Sequence, residues 1–366
     1  MNLSCTQRKW LAIGLSAAVL AACGGGDDSM GTSSYVATSL VSDFSGSTNP
    51  YNSPNVDPNL INAWGLAFNP NGFVWVADAG TSTSTLYDGN GVPQSLVVAI
   101  PAGTAGSANP TGIVFNGTPD FVVSQGGASG ASPFLFVGEA GTLSGWSPGV
   151  NATNAVKVFD GAAAGAVYKG LALASSGGAN FLYATDFHNG RVDVFDATFT
   201  KVAVAGGFTD PTLPAGYAPF GIQAIAGSIY VTFAQQDAAA HDNVDGAGLG
   251  LVDVFDVTGH FVKRLIDVGG ALNAPWGIAL APANFGPFSN ALLVANFGDG
   301  KINAFNTSSG ALMGTLSTAS GVPIAIDGLW GIAFGNGINS QPTNTLFFTG
   351  GPADESHGVY GRIDVH

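Results

Sequence analysis

The sequence predicts an all-β protein built as a six-bladed β-propeller, and three observations point to this fold class. A five-residue phrase recurs six times, with Gly in second place followed by aliphatic, small and apolar residues. The copies start 47, 58, 51, 56 and 54 residues apart, a period typical of one four-stranded blade. Further strand signals follow most copies. The phrases begin at Trp64, Thr111, Lys169, Phe220, Trp276 and Trp330.

Each phrase predicts the innermost strand of a blade. Alternate side chains of a strand point to opposite faces, so Trp64, Leu66 and Phe68 share one face while Gly65 and Ala67 share the other. A bulky face against a small one lets neighbouring blades nest, and Gly in an inner strand marks the close approach of another backbone. The tryptophans of the phrases are therefore expected to be wedges between blades.

The second and third strands are clearest in Phe181–Asp196 and Leu292–Asn306. Each segment has a strand, an Asp or Asn, a short Asn/Gly turn, a basic residue and a second alternating strand. Both segments resemble the NHL repeat, and this resemblance also implies a propeller. The sixth blade ends one strand short, whereas Tyr35–Val41 is a strand without a blade. We expect this N-terminal strand to complete the last blade, which would remove a free edge.

The composition is that of a folded acidic protein. Apolar residues make up 46% of the 366 residues, charged residues make up 9%, and the net charge is −14. Such a surface should repel nucleic acid, which proteins bind through Lys and Arg. The long uncharged apolar run Leu11–Ala22 is shorter than the roughly 20 residues that a membrane-spanning helix needs.

The first residues have the pattern of a signal peptide, with Arg8 and Lys9 before the apolar segment Leu11–Leu20. The tetrad that ends at Cys23 resembles the bacterial lipobox. This resemblance implies a lipoprotein signal peptide at 1–22, lipidation of Cys23 and a flexible tether at 23–34 before a propeller at 35–366. Ordinary signal-peptidase cleavage is the alternative.

Gly24, rather than Asp, follows the cysteine and implies sorting to the outer membrane of the cell envelope. Removal of Arg8 and Lys9 leaves eight basic and 24 acidic residues, a charge of −16. Because Cys5 lies in the signal peptide and Cys23 at the lipid site, the propeller itself has no disulfide.

The chain from residue 35 resembles an uncharacterised bacterial family of secreted six-bladed NHL-like propellers, some with PEP-CTERM tails. The resemblance rests on the Trp-Gly-Ile/Leu-Ala phrases, on Gly145-Trp146 after Phe134-Leu135-Phe136, and on Gln235–Asp256. It implies a fold and no activity. No PEP-CTERM tail is present at the end of this sequence.

Functional residues are expected where the loops entering the inner strands meet the loops joining second and third strands, because polar side chains converge there on the channel. Lys169 and Glu355 are among them. The most unusual loop is the blade-four insertion Gln236–Gly250, whose oxygen ligands could hold Ca²⁺. The candidates are Asp237, His241, Asp242 and Asp245. The spacing is not that of an EF-hand, and a solvated acidic loop with local turns is the alternative.

Two other metal sites are considered. His188, His241 and His357 lie in loops on one face and would suit Zn²⁺, as in the propeller of peptide-amidating lyases, although surface histidines are commoner. A calcium site like that of gluconolactonase and regucalcin would take its oxygens from channel loops: Asp78, Glu139, Asp186, Asn296 and Asp327. The Glu-Gly-Pro motif of those enzymes is missing, and Asp or Asn after a second strand can simply cap a turn.

Taken together, these patterns predict a lipid-anchored envelope propeller that binds an unknown protein or small ligand at its channel face. Nucleic acid is not expected as a partner, and the membrane is contacted only through the lipid anchor. The alternative is a metal-dependent lactonase or lyase with Ca²⁺ or Zn²⁺ at the channel mouth. Of the two, binding without catalysis is the expectation.

Overall fold

Six small antiparallel sheets surround a central channel in a computed structural model that describes residues 34–44 and 49–366. The six-bladed propeller is thereby confirmed. The chain divides into Met1–Thr32 and Ser33–His366, and only the second unit is described. The predicted signal peptide, Cys23 and nearly all of the tether lie outside the described residues. Within those residues, no helix has the length and apolarity to cross a membrane.

The chain begins with two strands that belong to the last blade, and then fills blades one to three in order. The first two are β1 (Tyr35–Ser42) and β2 (Asn55–Val56). Blade one contains β3 (Ala63–Phe68), β4 (Val74–Asp78), β5 (Thr83–Tyr87) and β6 (Val98–Ala99). Blade two contains β7 (Pro110–Phe115), a side hairpin of β8 (Val122–Gln125) and β9 (Ala128–Ala131), then β10 (Phe134–Gly138), β11 (Thr142–Trp146) and β12 (Val156–Asp160). Blade three contains β13 (Tyr168–Ser176), β14 (Ala179–Asp186), β15 (Arg191–Phe195) and β16 (Lys201–Val202).

Blades four to six repeat the same order. Blade four contains β17 (Tyr217–Ile225), β18 (Ser228–Gln235), β19 (Leu251–Asp256) and β20 (Phe261–Ile266). Blade five contains β21 (Pro275–Leu280), β22 (Leu292–Asn296), β23 (Ile302–Phe305) and β24 (Leu312–Thr315). Blade six contains β25 (Leu329–Phe334), β26 (Leu346–Gly350) and β27 (Val359–Val365). In the part of the chain that the structure describes, the short 3-10 helices are Ala79–Thr81, Ala162–Ala164 and Gly286–Phe288.

The N-terminal strand closes the ring, as the sequence predicts. Strand β1 pairs antiparallel with β27 from Tyr35 opposite Val365 to Ser42 opposite Val359. Blade six therefore contains both ends of the described chain, and the sheet order is β2-β1-β27-β26-β25. The Tyr35 hydroxyl also donates to the carbonyl of Phe285 in blade five at 2.9 Å, which ties the closing strand to the neighbouring blade.

The two faces of the propeller differ in their loops. Inner strands begin at the face that we call upper, where the loops between second and third strands also lie. They end at the lower face. One row of paired residues crosses blade six near the lower face and consists of Ala37, Ile363, Leu346 and Phe334. Strand β1 therefore begins at the lower face.

The glycines of the six phrases make the closest contacts between blades. A Cβ atom at any of them would lie within 3.0 Å of an atom in the inner strand of the following blade. At Gly221 it would overlap the carbonyl oxygen of Trp276, and at Gly65 that of Thr111. Only glycine permits this approach of one backbone to another. The six positions are Gly65, Gly112, Gly170, Gly221, Gly277 and Gly331.

Threonines of the second strands bond across the same seams. Thr185 Oγ1 lies 2.7 Å from the amide nitrogen of Gly170 and 2.7 Å from the carbonyl oxygen of Phe220 in the next blade. Thr349 repeats the arrangement between Gly331 and Trp64, which joins blade six to blade one. The ring is thus held by backbone polar groups as well as by apolar packing.

We expect Gly221→Ala to lower the free energy of unfolding by at least about 2 kcal/mol, because overpacking a tight seam forces backbone shifts. Gly149→Ala is the matched control, since a Cβ there has no atom within 4 Å. Chemical denaturation of both variants measures the difference. Equal stability of the two variants would show that the backbone at this seam can shift to accommodate a Cβ atom without loss of stability.

A buried carboxyl stabilises the outer part of blade four. Asp253 on β19 lies 3.1 Å from Nε of Arg264 on β20, and the same guanidinium pairs with Asp210. The side chain of Asp253 is fully buried. Burial raises the pKa of Asp253 from 3.8 to about 7, and the opposing charge of Arg264 only partly offsets this.

The raised pKa makes the stability of wild type depend on pH. Because the folded-state pKa exceeds the unfolded value, the contribution of Asp253 is present at low pH and is lost as pH rises through about 7. Asp253→Asn does not titrate. We expect the melting temperature of Asp253→Asn minus that of wild type, measured by calorimetry, to increase from pH 5 to pH 8. A constant difference across this range would contradict the assignment.

Candidate functional site

The first residues of the phrases converge on the propeller axis near the upper face. Every inner-strand pair has a shift of register at this level, and such bulges re-aim side chains. Trp64 stacks on Trp330 with ring centroids 3.8 Å apart, and Trp276 contacts both rings edge-on. We call Trp64, Phe220, Trp276 and Trp330 the aromatic plug. The expectation that these tryptophans are wedges between blades is wrong, because they pack against one another across the axis.

Lys169 is the charged member of this ring of first residues. Its side chain is only 1% exposed. The ammonium lies 5.1 Å from the centroid of a Trp64 ring and 6.0 Å from that of Phe187. Aromatic faces attract cations, and a buried ammonium needs anionic partners to offset lost hydration. Lys169 therefore places a fixed positive charge on the plug.

Two carboxylates pair with this ammonium. Glu139, in the loop between β10 and β11, bonds to Nζ of Lys169 directly. Asp242 of the blade-four insertion accepts from the same Nζ at 3.2 Å. Burial opposes the charge on Lys169, yet Glu139 and Asp242 together raise its pKa. Burial also opposes ionisation of Asp242, but Lys169 lowers its pKa. Lys169 and Asp242 are therefore both charged at neutral pH.

A third carboxylate, Glu355, enters the cluster from blade six. Its Oε2 accepts from Nδ2 of Asn62 at 2.6 Å, and Oδ1 of Asn62 accepts from Nε1 of Trp330 at 3.0 Å. Burial raises the pKa of Glu355, and the negative charge of Glu139 raises it further. Asn62 thus links this carboxylate to the aromatic plug.

The loop that carries Glu355 has a strained backbone. Ala353, Asp354 and Glu355 have φ of 56°, 53° and 61°, which puts three successive non-glycine residues in the left-handed region. Each such residue costs about 1–2 kcal/mol. Strain of this kind persists only where surrounding contacts enforce it, and it is concentrated at functional sites. The loop is therefore built to deliver Glu355 to the channel mouth.

The blade-four insertion bends over blade three. Nε2 of Gln236 donates to the carbonyl of Phe187 at 2.6 Å. Asp237 accepts from the backbone N–H groups of His241 and Asp242 at 2.9 and 3.3 Å, which makes the turn that carries both residues. Nδ1 of His241 lies 3.0 Å from Oδ1 of Asp242. The insertion therefore brings His241 beside the Lys169 cluster.

A cavity of about 420 Å³ opens next to this cluster at the upper face. Loops of blades two and three and the blade-four insertion form its walls. Among its described lining residues, the ionisable side chains are Glu139, His188 and His241, and the rest are small or polar, such as Ser107 and Asn109. We call this space the mouth cavity.

The predicted metal ligands come together only in part. Within the described residues, one group of three or more possible ligands has its atoms within 4.8 Å of one another, namely Glu139, His241 and Asp242. Asp242 and His241 come from the predicted blade-four site, His241 also belongs to the predicted zinc site, and Glu139 comes from the predicted calcium site of the channel loops. His188 lines the same cavity.

The remaining candidates lie elsewhere or bond locally. Asp78, Asp186 and Asn296 end second strands and are fully buried. Asp186 and Asn296 bond to Asn189 and Asp299 in their own turns, as the capping alternative describes, whereas Asp78 accepts from threonines of β5. Asp245 accepts from Asn243 at 2.6 Å, and Asp327 accepts from the amide of Ala353 at 3.0 Å. His357 pairs with Asp43 at 2.7 Å and stacks on Phe44.

Sequence reasoning placed Lys169 and Glu355 among the polar loop residues without giving them roles, and it did not connect Asn62 to a carboxylate. One signal was available for Lys169. It occupies the first position of a phrase whose other copies begin with aromatic residues or Thr. A charged residue at a position that faces the axis predicts a buried ion pair.

Fold and site together define a six-bladed β-propeller with a charged cluster at the mouth of a plugged channel. Uncharacterized protein R648 of Acanthamoeba polyphaga mimivirus is 35% identical over 316 residues, 84% of this chain and 76% of that protein. Uncharacterized protein L690 of the same virus is 34% identical over 314 residues, 84% of this chain and 81% of that protein. The chain belongs to the family of these two proteins. No family model matches the sequence.

Two solved structures are similar in fold. One is a catalytically inactive virginiamycin B lyase from Staphylococcus aureus with quinupristin, 12% identical, covering 91% of this chain and 100% of that chain with a TM-score of 0.52. The other is a protein of unknown function from Bacteroides thetaiotaomicron, 11% identical, covering 91% and 76% with a TM-score of 0.52. The resemblance to six-bladed propellers is thus confirmed, whereas the bacterial and secreted character of the family stays a prediction.

Replacing Lys169 should show how much the pairing of its ammonium with the surrounding carboxylates contributes to the free energy of unfolding. We expect Lys169→Met to lower the free energy of unfolding by about 1–3 kcal/mol at pH 7, because it leaves the half-buried Glu139 without the cation to which it bonds. Lys301→Met is the control, since Lys301 pairs with Asp299 at the surface and should cost less than about 1 kcal/mol. Denaturant titration measures both. The deficit of Lys169→Met should shrink at pH 4, because without Lys169 nothing offsets the effect of burial, which raises the pKa of Asp242 and favours its protonation in the variant.

Proposed function

We propose that this protein binds a small ligand carrying an ammonium or guanidinium group in the mouth cavity. The observation that carries the proposal is the charge balance of the site. One ammonium, on Lys169, is set against three carboxylates, on Glu139, Asp242 and Glu355. The cluster therefore has negative charge to spare beside a cavity of about 420 Å³, a size typical of small-molecule sites.

The carboxylates are arranged to accept a second cation. Lys169 occupies one oxygen each of Glu139 and Asp242, and Asn62 occupies one oxygen of Glu355. Of the three, Glu139 lines the mouth cavity, where its second oxygen would accept from a ligand donor. The protein's charge of −14 adds a long-range attraction for cations, which raises association rates at low salt.

Calorimetric titration with putrescine and with its neutral analogue 1,4-butanediol tests the proposal. We expect putrescine to bind and butanediol not to bind, since only the diamine can pair with the carboxylates. Glu139→Gln should weaken putrescine binding about tenfold, which corresponds to about 1.4 kcal/mol. Added salt should weaken it as well, because exposed charge pairs are screened.

Asp196→Asn serves as the matched control. Asp196 is an acidic residue in a lower-face turn, where it accepts from Thr198 at 2.8 Å. The control should bind putrescine like wild type. Equal affinity of Glu139→Gln and wild type, or binding of butanediol as strong as that of putrescine, would refute a cation site in the mouth cavity.

A metal-dependent lyase or lactonase is the second candidate, and the group of Glu139, His241 and Asp242 favours it. An imidazole beside carboxylates suits Zn²⁺ better than Ca²⁺, which prefers oxygen ligands. The shared fold of a known lyase makes enzymatic activity a reasonable second hypothesis. Zn²⁺ would have to bind beside the Lys169 ammonium, which repels it.

Elemental analysis and thermal melting with and without EDTA distinguish the two candidates. The organic-cation site predicts no bound Zn²⁺ or Ca²⁺ and a melting temperature that EDTA does not change. Stoichiometric zinc that is lost in His241→Ala would favour the enzyme.

We further propose that Cys23 is lipidated and that the protein is anchored in the cell envelope at the outer membrane. The lipobox-like tetrad that ends at Cys23 supports this. Intact-mass analysis of the membrane fraction from a bacterial host should show acylation that Cys23→Ser abolishes. An unmodified thiol at Cys23 in the wild-type protein would contradict the anchor.

A further inference from the structure

The lower half of the channel is a second cavity, separate from the mouth cavity. It measures about 500 Å³ and narrows upward into a neck of about 40 Å³. The lower ends of all six inner strands form its wall. One residue from each blade near the rim illustrates its character: Phe68, Phe115, Leu173, Ile225, Leu280 and Phe334. We call this space the funnel.

The described lining of the funnel contains no charged side chain. The contrast with the upper face is strong, since Glu139, His188 and His241 line the mouth cavity. Backbone polar groups of the inner strands share this wall with the apolar side chains, but no charged partner is present among them. Moving an ion from water into a space without a charged partner is costly, so such a wall favours neutral molecules. The apolar side chains favour an alkyl chain, because covering it removes apolar surface from water.

Gln223 is the exception in this wall. It is the one side chain among the described lining residues that has an amide, and it lines both the funnel and the neck. In the other phrases the equivalent position is Ala or Val, which are apolar. The Gln223 side chain is exposed to the channel and makes no hydrogen bond to any part of the chain that the structure describes. It therefore offers a free donor and a free acceptor in the neck.

The aromatic plug closes the upper end of the neck. Trp276 lines the neck, while Trp64 and Trp330 are 1% exposed and packed against each other. A ligand that enters from the lower face therefore reaches an end wall beside Gln223. The taper fits an elongated molecule whose polar end goes in first.

We propose that the funnel is a binding site for a neutral, elongated apolar molecule with one hydrogen-bonding end group, of the chemical class of long-chain alcohols. The end group bonds to the Gln223 amide in the neck, and the chain lies against the apolar wall down to the rim. This site is separate from the mouth cavity, because the two spaces share no lining residue. Its ligand differs from that of the mouth cavity in charge and in polarity.

Displacement of the neutral fluorescent probe N-phenyl-1-naphthylamine tests the proposal. We expect the probe to bind the full protein with an increase in fluorescence, and 1-dodecanol to displace it. Dodecanoate at pH 8 has the same chain and a charged end, and it should compete at least tenfold less well. Dodecanoate that competes as well as dodecanol would overturn the assignment of a neutral ligand.

Two variants of the wall locate the binding. Ala224→Trp should block the funnel and abolish probe binding. Leu280→Arg at the exposed rim is tolerated by the fold and should weaken dodecanol binding at least fivefold. Leu312→Arg places the same charge on the outer strand of the same blade and should change nothing. Retained binding in both wall variants would overturn the site.

Gln223→Leu tests the end group. This variant should keep the probe but lose at least threefold in affinity for dodecanol, because it removes only the hydrogen bond. Equal affinity of Gln223→Leu and wild type for dodecanol would remove Gln223 from the site. His241→Ala should not affect the funnel, and putrescine binding in the wall variants reports on the mouth cavity separately.

Discussion

The contact of each inner-strand glycine with the backbone of the next blade is the constraint on which the rest of the structure depends. It is made six times, and the last contact, of Gly331 with blade one, is possible only if the previous five hold. The contact brings the inner strands close enough for the first residues of the phrases to meet on the axis. The funnel follows from this arrangement, because the resulting plug closes the channel above the neck.

The polar residues that characterise the two cavities lie at positions where a phrase departs from the repeat. Lys169 stands where three other copies have Trp, and its buried ammonium pairs with Glu139 and with the exposed Asp242. Gln223 stands where the other copies have Ala or Val, and it puts one amide into an apolar neck. The residues that follow the phrase hold the ring together, so the fold tolerates Lys169 and Gln223 at the two positions that depart from it. The residues that depart from the phrase are therefore the ones that characterise the two cavities.

The repeat allowed the blades, their order and the closing strand β1 to be predicted, because period-2 patterning and a fixed spacing are local properties of the chain. The site was predicted less well. Asp242 and Lys169 are 73 residues apart, and Asn62 and Glu355 are 293 apart, so no pattern along the chain connects them. The turn-capping roles of Asp186 and Asn296 were foreseen as an alternative since they depend on neighbouring residues. The sequence did not predict that the tryptophans meet on the axis, because a bulge changes the direction in which a side chain points.

The position of β1 also determines how the propeller responds to mechanical force. Tyr35 lies opposite Val365, and its strand runs antiparallel to β27. Tension applied upstream of Tyr35 against the C-terminus therefore loads the β1–β27 ladder one hydrogen bond at a time, in an unzipping geometry. Such a ladder yields at low force compared with strands that are sheared together. Under tension, blade six opens before any seam that is sealed by a phrase glycine.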